Sequence, residues 1–129
     1  MASSQVDQVR RVALALPGVS ERNTHGAVGF YVGGRPLCYV HDNHRGDGRV
    51  SLWFPASPAL QEELITAEPD RFFRPEPSAS GTFSTWLALF VDDPETCVDW
   101  TEIGEILRQT YRTIAPHRLV AELDARRDG

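Results

Sequence analysis

Apolar residues along the chain change from a helical spacing to a strict alternation and then return to the helical spacing. The first helical stretch has apolar residues at Val6, Val9, Val12, Ala13 and Leu16. Ser3 or Ser4 can cap this helix, and Pro17-Gly18 ends it. Alternation between residues 21 and 54 predicts strands, with Gly33-Gly34 as the tight turn of a hairpin. A polar loop then leads into a third strand that contains Val50, Leu52 and Phe54.

The second half of the chain carries two helix-start signals and one strand signal. Ser57 is placed to cap a helix with Pro58 in its first turn, and the buried stripe is predicted at Leu60, Leu64 and Ile65. Residues 83–91 predict a central strand. Asp99 and Glu102 match a capping box for a longer helix, which Pro116 ends. Its apolar face is predicted at Trp100, Ile103, Ile106, Leu107, Tyr111 and Ile114, and residues 117–126 can add a short turn or helix.

This order of elements predicts an α+β fold. We expect a two-layer domain with a mainly antiparallel sheet of about five strands and with N-terminal, middle and C-terminal helices, because the strand connections have hairpin length. The 129 residues suffice for one core, so residues 1–129 are taken as a single domain with flexible ends at 1–4 and 124–129.

Charge and cysteine content narrow the class of protein. The formal net charge is -5, and all 13 basic residues are arginine. Arginine suits phosphate contacts, although codon bias in a GC-rich genome also gives an arginine-only inventory. Cys38 and Cys97 have no metal-type spacing, and no secretory signal or membrane-length apolar run occurs. We therefore expect a cytoplasmic monomer without membrane contact.

Sequence signatures of enzymes are missing as well. The chain has no nucleophile elbow, phosphate-binding loop or dinucleotide fingerprint. His41, His44, Asp42 and Asp47 form the one cluster with metal-ligand character, and a polar hairpin loop gives the same pattern. We expect a protein that is not an enzyme and that holds no cofactor or metal.

Several short motifs together resemble the MmcQ/YjbR family. They are Leu14 to Glu21 (LALPGVSE), Gly26, Phe30 to Arg35 (FYVGGR), Glu68 to Phe73 (EPDRFF), Trp86, and the stretch 100–115 followed by Pro116. The resemblance covers about residues 6–119. It implies an antiparallel sheet with helices, similar to double-wing DNA-binding, frataxin-like and secretion-chaperone-like folds. It also implies DNA binding, a function that rests on the fold likeness.

If DNA is the partner, an exposed face of the sheet has to supply the contacts. The candidate phosphate-binding residues are Arg35, Arg45, Arg49, Arg71 and Arg74. Four aromatic residues have two interpretations, because they either stack on the bases of a bound nucleic acid or belong to the core. They are Trp53, Phe72, Phe73 and Trp86. The chain departs from the family pattern at residues 76–80, where a basic stretch is missing, and at Phe90, where many members have arginine.

Two other functions remain open at this stage. One is a protein-interaction or small-ligand module of the same fold, which the acidic composition favours. The other is a frataxin-like metal binder that uses Asp92, Asp93 and Glu95.

Overall fold

The structure is a computed structural model that describes residues 4–24, 27–42, 49–75, 85–91 and 99–128. These residues form the helices α1 (Ser4–Leu14), α2 (Pro58–Ala67), α3 (Trp100–Ile114) and α4 (His117–Asp128). They also form the strands β1 (Ser20–Thr24), β2 (Ala27–Val32), β3 (Arg35–Asp42), β4 (Val50–Pro55), β5 (Phe72–Phe73) and β6 (Trp86–Phe90). The strand order is β1-β2-β3-β4-β6-β5, and every neighbouring pair is antiparallel. The predicted α+β class is confirmed.

Side chains that cap the helices lie where the sequence places them. The Ser57 hydroxyl accepts a hydrogen bond from the Leu60 amide at 3.2 Å, and Pro58 is the first residue of α2. The Asp99 carboxylate accepts from the amides of Thr101 and Glu102 at the start of α3. These bonds satisfy amide groups that the first turn of a helix leaves without partners.

Hydrophobic residues from the helices and from one face of the sheet form the main core. In β4 and β6 the inward positions alternate, as the period of a strand requires. The largest fully buried side chains are Tyr111, Phe30, Phe54, Phe72, Leu37, Leu52, Leu87, Leu89, Ile103, Leu107, Val9 and Val32. Tyr111 also donates its hydroxyl proton to the Pro17 carbonyl at 2.6 Å, which joins α3 to the turn after α1. The helical layer thus covers one face of the sheet.

The buried side of α2 differs from the prediction. Leu60 is 38% exposed, whereas Gln61 is 2% exposed. The polar Gln61 tolerates burial because its amide nitrogen donates to the Ala56 carbonyl at 2.8 Å and its oxygen accepts from Arg74 at 3.1 Å. The predicted apolar stripe was therefore wrong at Leu60, while Leu64 packs against the core as expected.

The sheet has one strand more than the predicted number of about five. β1 contains Ser, Glu, Arg, Asn and Thr, so it lacks the apolar alternation that marks a strand. It pairs along its whole length with β2, from Ser20 opposite Tyr31 to Thr24 opposite Ala27. Glu21 points to the helical layer and accepts two hydrogen bonds from Arg10 of α1. Backbone pairing with β2 and this ion pair hold β1 at the edge of the sheet, although its sequence has no apolar alternation.

The turn between β2 and β3 depends on adjacent glycines with positive φ, Gly33 at 59° and Gly34 at 79°. A Cβ on Gly33 would lie 2.9 Å from Cδ of Pro116, whereas a Cβ on Gly34 would meet nothing within 4 Å. We expect Gly34→Ala to cost about 1 kcal/mol for the left-handed backbone. Gly33→Ala adds the clash with Pro116, so we expect it to cost at least about 1 kcal/mol more.

Urea unfolding of the Gly33→Ala and Gly34→Ala variants tests this prediction, and each serves as the control for the other. Equal losses in the free energy of unfolding would show that the contact between the turn and Pro116 does not constrain residue 33.

Candidate functional site

The face of the sheet opposite the main core carries a continuous band of aromatic and basic side chains. We call it the aromatic face, and it consists of Arg22, Tyr31, Tyr39, His41, Arg49, Trp53, Phe73, Trp86 and Phe90. Trp53, Trp86 and Ala88 form a second hydrophobic cluster, against which Tyr39 and Phe73 pack. No helical residue of the described chain belongs to this cluster. Rings therefore come from every strand between β2 and β6.

The rings contact one another across strands that are distant in sequence. Tyr39 stacks on Trp86 with ring centres 5.3 Å apart, and its hydroxyl lies 3.2 Å from that of Tyr31. The His41 and Trp53 rings lie 3.9 Å apart. Such cross-strand pairs stabilise a sheet and hold each ring in one orientation. The aromatic face is therefore a preorganised surface.

Gly29 allows the two tyrosine rings to lie over the backbone of β2. A Cβ at this position would lie 2.9 Å from a Tyr31 ring carbon and 3.0 Å from a Tyr39 ring carbon. Real Cβ atoms are not accommodated at such distances without a shift of the rings. The missing side chain at Gly29 thus keeps the aromatic face flat between β1 and β3.

Burial divides the rings into a floor and an accessible layer. Trp53 and Trp86 are buried, and the Trp53 indole N–H donates to the Ser51 hydroxyl at 2.9 Å. The half-buried rings are those of Tyr31, Tyr39, His41, Phe73 and Phe90. The tryptophans therefore support the sheet, whereas the other rings of this face are partly accessible to solvent.

Arg22 and Arg49 give this face a positive character at opposite ends. The guanidinium of Arg22 lies 4.8 Å from the centre of the Tyr31 ring, and that of Arg49 lies 3.9 Å from the centre of the Phe90 ring. Both contacts fall within the range of cation–π interactions. Within the described chain, the aromatic face holds no carboxylate, because Glu21 and Asp42 lie opposite core residues and point to the other side.

The arginines predicted from the sequence do not come together on one surface. Arg49 lies on the aromatic face, and Arg35 is exposed at the end of the β2–β3 hairpin. Arg71 binds Glu68 at 2.9 Å and Glu102 at 3.1 Å, beside α3. Arg74 donates to Gln61 of α2. Arg45 lies outside the described residues.

Arg71 and Arg74 thus contact partners in or next to the helices. Burial opposes the charge of Arg71, but the hydrogen bonds to Glu68 and Glu102 prevail and raise its pKa above the ordinary value. Glu102 is a residue of α3, so this ion pair ties the turn before β5 to the helical layer.

The sequence reasoning missed Arg22, Tyr31 and Tyr39 as members of a candidate site. Tyr31 and Tyr39 alternate with core residues along their strands, and this alternation is the signal that would have placed them on the second face. Arg22 gave no such signal, because β1 itself was not predicted.

The described residues contain no group of three or more histidine, cysteine or acidic side chains that could hold a metal ion. The metal-type cluster of the sequence falls partly outside them, since His44 and Asp47 are not described, and neither are Asp92, Asp93 and Glu95. Cys38 is fully buried, and burial raises the pKa of its thiol. Cys97 lies outside the described residues, and no described helix is long and apolar enough to span a membrane.

The contact between Tyr31 and Tyr39 predicts a specific alkaline titration. Burial, aided by the hydrogen bond to Tyr31, raises the pKa of Tyr39 to about 12. An unfolded tyrosine titrates near about 10, so this group stabilises the fold fully below that pH and less as the pH rises through its folded pKa. Burial raises the pKa of Tyr111 as well. We therefore expect tyrosinate absorbance of the folded chain to show a late rise from both groups, and Tyr39→Phe should remove one part of it.

The control for this titration is Tyr111→Phe, which leaves the pair on the aromatic face intact. Each variant should lose part of the late rise, and an undiminished late rise in Tyr39→Phe would show that the assignment to Tyr39 is wrong. Unfolding at a series of alkaline pH values checks the sign, because stability should decrease with increasing pH.

An antiparallel sheet with helices on one face defines a two-layer α+β domain. The YjbR family model matches residues 14–113, and the chain belongs to this family. A crystal structure of the Deinococcus radiodurans protein DR2400, which carries a DUF419 domain, has a similar fold with a TM-score of 0.67. The two chains are 21% identical over 92% of this chain and 87% of that chain. No curated protein matches this chain.

Proposed function

We propose that this protein binds nucleic acid, DNA in the first place, through its aromatic face and without catalysing a reaction. The observation that carries the proposal is the local composition of that face. The chain as a whole has a net charge of -5, yet the described residues of this face supply Arg22 and Arg49 and no carboxylate. Affinity for nucleic acid comes largely from neutralised phosphates, so an acidic protein needs such a segregated surface.

The half-buried rings favour unpaired bases as the groups that are bound. Base–aromatic stacking contributes about 1–3 kcal/mol per base and requires an accessible ring face. Phe73 and Phe90 lie 4.7 Å apart in a tilted arrangement, close to the guanidinium of Arg49. A single strand that crosses the sheet would place its backbone near Arg49 and a base over Phe73, since the guanidinium of Arg49 already lies over the Phe90 ring.

The arginines beside α2 and α3 contribute little in this arrangement. Arg71 already has two carboxylate partners, and Arg74 donates to Gln61. Releasing Arg71 to a phosphate would leave Glu68 and Glu102 without their cation. The proposed interface takes Arg22 and Arg49 because both lie on the aromatic face. We propose that the chain acts as a cytoplasmic monomer.

A salt titration tests the proposal. The probe is a labelled oligonucleotide, offered as a single strand and as a duplex, and anisotropy measures its affinity. We expect the single strand to bind more tightly, and two phosphate contacts predict a slope of log K against log salt of about -1.4. A lack of binding to both forms at low salt would refute the proposal.

Matched variants separate the aromatic face from net charge. The test variant is Arg22→Gln with Arg49→Gln, which should remove most of the salt dependence because each phosphate contact contributes about 0.7 to the slope. The control is Arg11→Gln with Arg118→Gln, which removes the same charge from exposed positions of α1 and α4. Equal losses in both double variants would show that net charge, and not this face, determines binding.

A further inference from the structure

The register of the sheet places one residue of each described strand in a single row across the aromatic face. Each member lies opposite the next in an antiparallel pair, so the row runs perpendicular to the strands. Its members, in spatial order from β1 to β5, are Arg22, Gly29, Tyr39, Trp53, Ala88 and Phe73. Neighbouring strands lie about 4.8 Å apart, so the row is about 24 Å long. This width limits the length of a ligand that crosses the aromatic face.

The two arginine–ring contacts lie at opposite corners of this face. Tyr31, which the guanidinium of Arg22 covers, lies two residues beyond the row on β2. Phe90, which the guanidinium of Arg49 covers, lies two residues beyond the row on β6. Because β2 and β6 run in opposite directions, the two rings lie on opposite sides of the row. The strand spacing and the rise per residue then separate the two ring positions by about 20 Å along a diagonal of the sheet.

The corner at Arg22 offers hydrogen-bond donors. Arg22 is exposed, and its guanidinium lies 4.8 Å from the centre of the Tyr31 ring. The hydroxyls of Tyr31 and Tyr39 lie 3.2 Å apart. When Tyr39 donates within this pair, the Tyr31 hydroxyl can donate its own proton to a ligand. A guanidinium and a tyrosine hydroxyl are both donors that contact phosphate oxygens, so this corner suits a phosphate.

The corner at Arg49 combines a cation with a partly accessible ring. The guanidinium of Arg49 covers the Phe90 ring at 3.9 Å, and the half-buried Phe73 ring lies 4.7 Å from that of Phe90. A base that stacks on Phe73 therefore has its phosphate within reach of Arg49. This corner suits a phosphate together with the adjoining base.

The distance between the corners determines how many nucleotides connect them. A stacked strand rises by about 3.4 Å per nucleotide. A strand whose bases stack on protein rings gives up its own stacking and extends to roughly twice that rise. A diagonal of about 20 Å therefore corresponds to about three steps along an extended strand, which is four nucleotides. This length is at the lower end of the range of about 4–16 nucleotides that a small nucleic-acid-binding β domain covers.

We propose that the aromatic face binds a single-stranded segment of about four nucleotides that lies diagonally across the sheet, with one phosphate at Arg22, another at Arg49 and a base on Phe73. This inference rests on the proposed function and adds the length and the path of the ligand. A dinucleotide reaches one corner only. In a longer strand the second contact forms within the complex, at a high effective concentration, and so raises the affinity.

Oligothymidylates of two, four and eight nucleotides test the proposal with the full chain at low salt. Each competes with a labelled strand of about twelve nucleotides in an anisotropy measurement. We expect the affinity to rise at least about 10-fold from two to four nucleotides, since only the longer ligand reaches both arginines. From four to eight nucleotides it should rise no more than about 5-fold, the number of positions that a four-nucleotide site has on the longer strand. A smaller first rise or a larger second one would overturn the proposal.

Arg22→Gln tests whether the two corners hold one strand. The variant should bind the tetranucleotide at least about 5-fold more weakly, because the contact at one corner is lost. Its affinity for the dinucleotide should stay within about 2-fold, because that ligand binds at the corner of Arg49, where Phe73 adds stacking. The matched control is Arg11→Gln, which removes the same charge from an exposed position of α1 and should leave the length dependence unchanged. An equal loss for both ligands, or no loss for either, would overturn the proposal.

Failure of this inference differs from failure of the proposed function. If no oligothymidylate binds at low salt, the proposed function is wrong and the four-nucleotide path with it. If the strands bind with another length dependence, nucleic-acid binding stands and only the path is wrong. Urea unfolding of Arg22→Gln and Arg11→Gln shows that both variants keep the fold, so that a change in the length dependence reflects a lost contact.

Discussion

Replacing Leu107 by alanine is expected to lower the free energy of unfolding by about 3 kcal/mol, within the range of about 2–5 kcal/mol for buried leucines. Leu107 is fully buried in α3 and belongs to the cluster that joins α1, α3 and the inner face of the sheet. Truncation removes apolar surface from this cluster and leaves a cavity that rigid neighbours fill only in part. Urea unfolding with an unchanged m-value measures the loss.

The control for Leu107→Ala is Leu60→Ala, which makes the same chemical change at a position that is 38% exposed. We expect this control to cost less than about 1 kcal/mol, because exposed substitutions away from the core have small effects. Similar costs at both positions would show that α3 does not pack on the sheet as described.

Replacing Phe73 by leucine is expected to weaken single-strand binding by about 5- to 150-fold, the equivalent of one stacked base at about 1–3 kcal/mol. The substitution keeps an apolar side chain of similar size but removes the π surface. The neighbouring Phe90 ring, 4.7 Å from that of Phe73, keeps its contact with the guanidinium of Arg49. Anisotropy of a labelled single strand measures the effect, and this prediction rests on the proposed function.

Phe73→Tyr is the matched control for Phe73→Leu, since it retains the ring in the same place. We expect its affinity to stay close to that of the unmodified chain. If the leucine variant binds as tightly as the tyrosine variant, the bases do not stack at this position. Unfolding of both variants shows whether a loss of binding reflects a loss of structure.

Elements with local signals were predictable from the sequence. The hydroxyl of Ser57 and the carboxylate of Asp99 start their helices where a cap is expected, because capping depends on residues within one turn. Phe72 lies in the core and Phe73 on the opposite face, as the alternation of a strand requires. Such signals need no knowledge of the tertiary structure.

The composition of the candidate site was not predictable in the same way. Alternation shows which residues of one strand share a face, but it does not show which face the helices cover. The band from Arg22 to Phe90 depends on the register of several strand pairs, and these join residues far apart in the sequence. Arg49, just before β4, lies over Phe90 of β6, and this contact follows from the pairing of the two strands.

The polar edge strand β1 also affects the tendency of the protein to aggregate at high concentration. A free strand edge invites pairing with another chain. If β1 paired antiparallel with a copy of itself about its central residue, Arg22 of each chain would lie opposite Arg22 of the other, and like charges directly opposite are destabilising. The opposite edge strand has only two residues and is followed closely by Pro75. Both edges of the sheet therefore disfavour edge-to-edge aggregation.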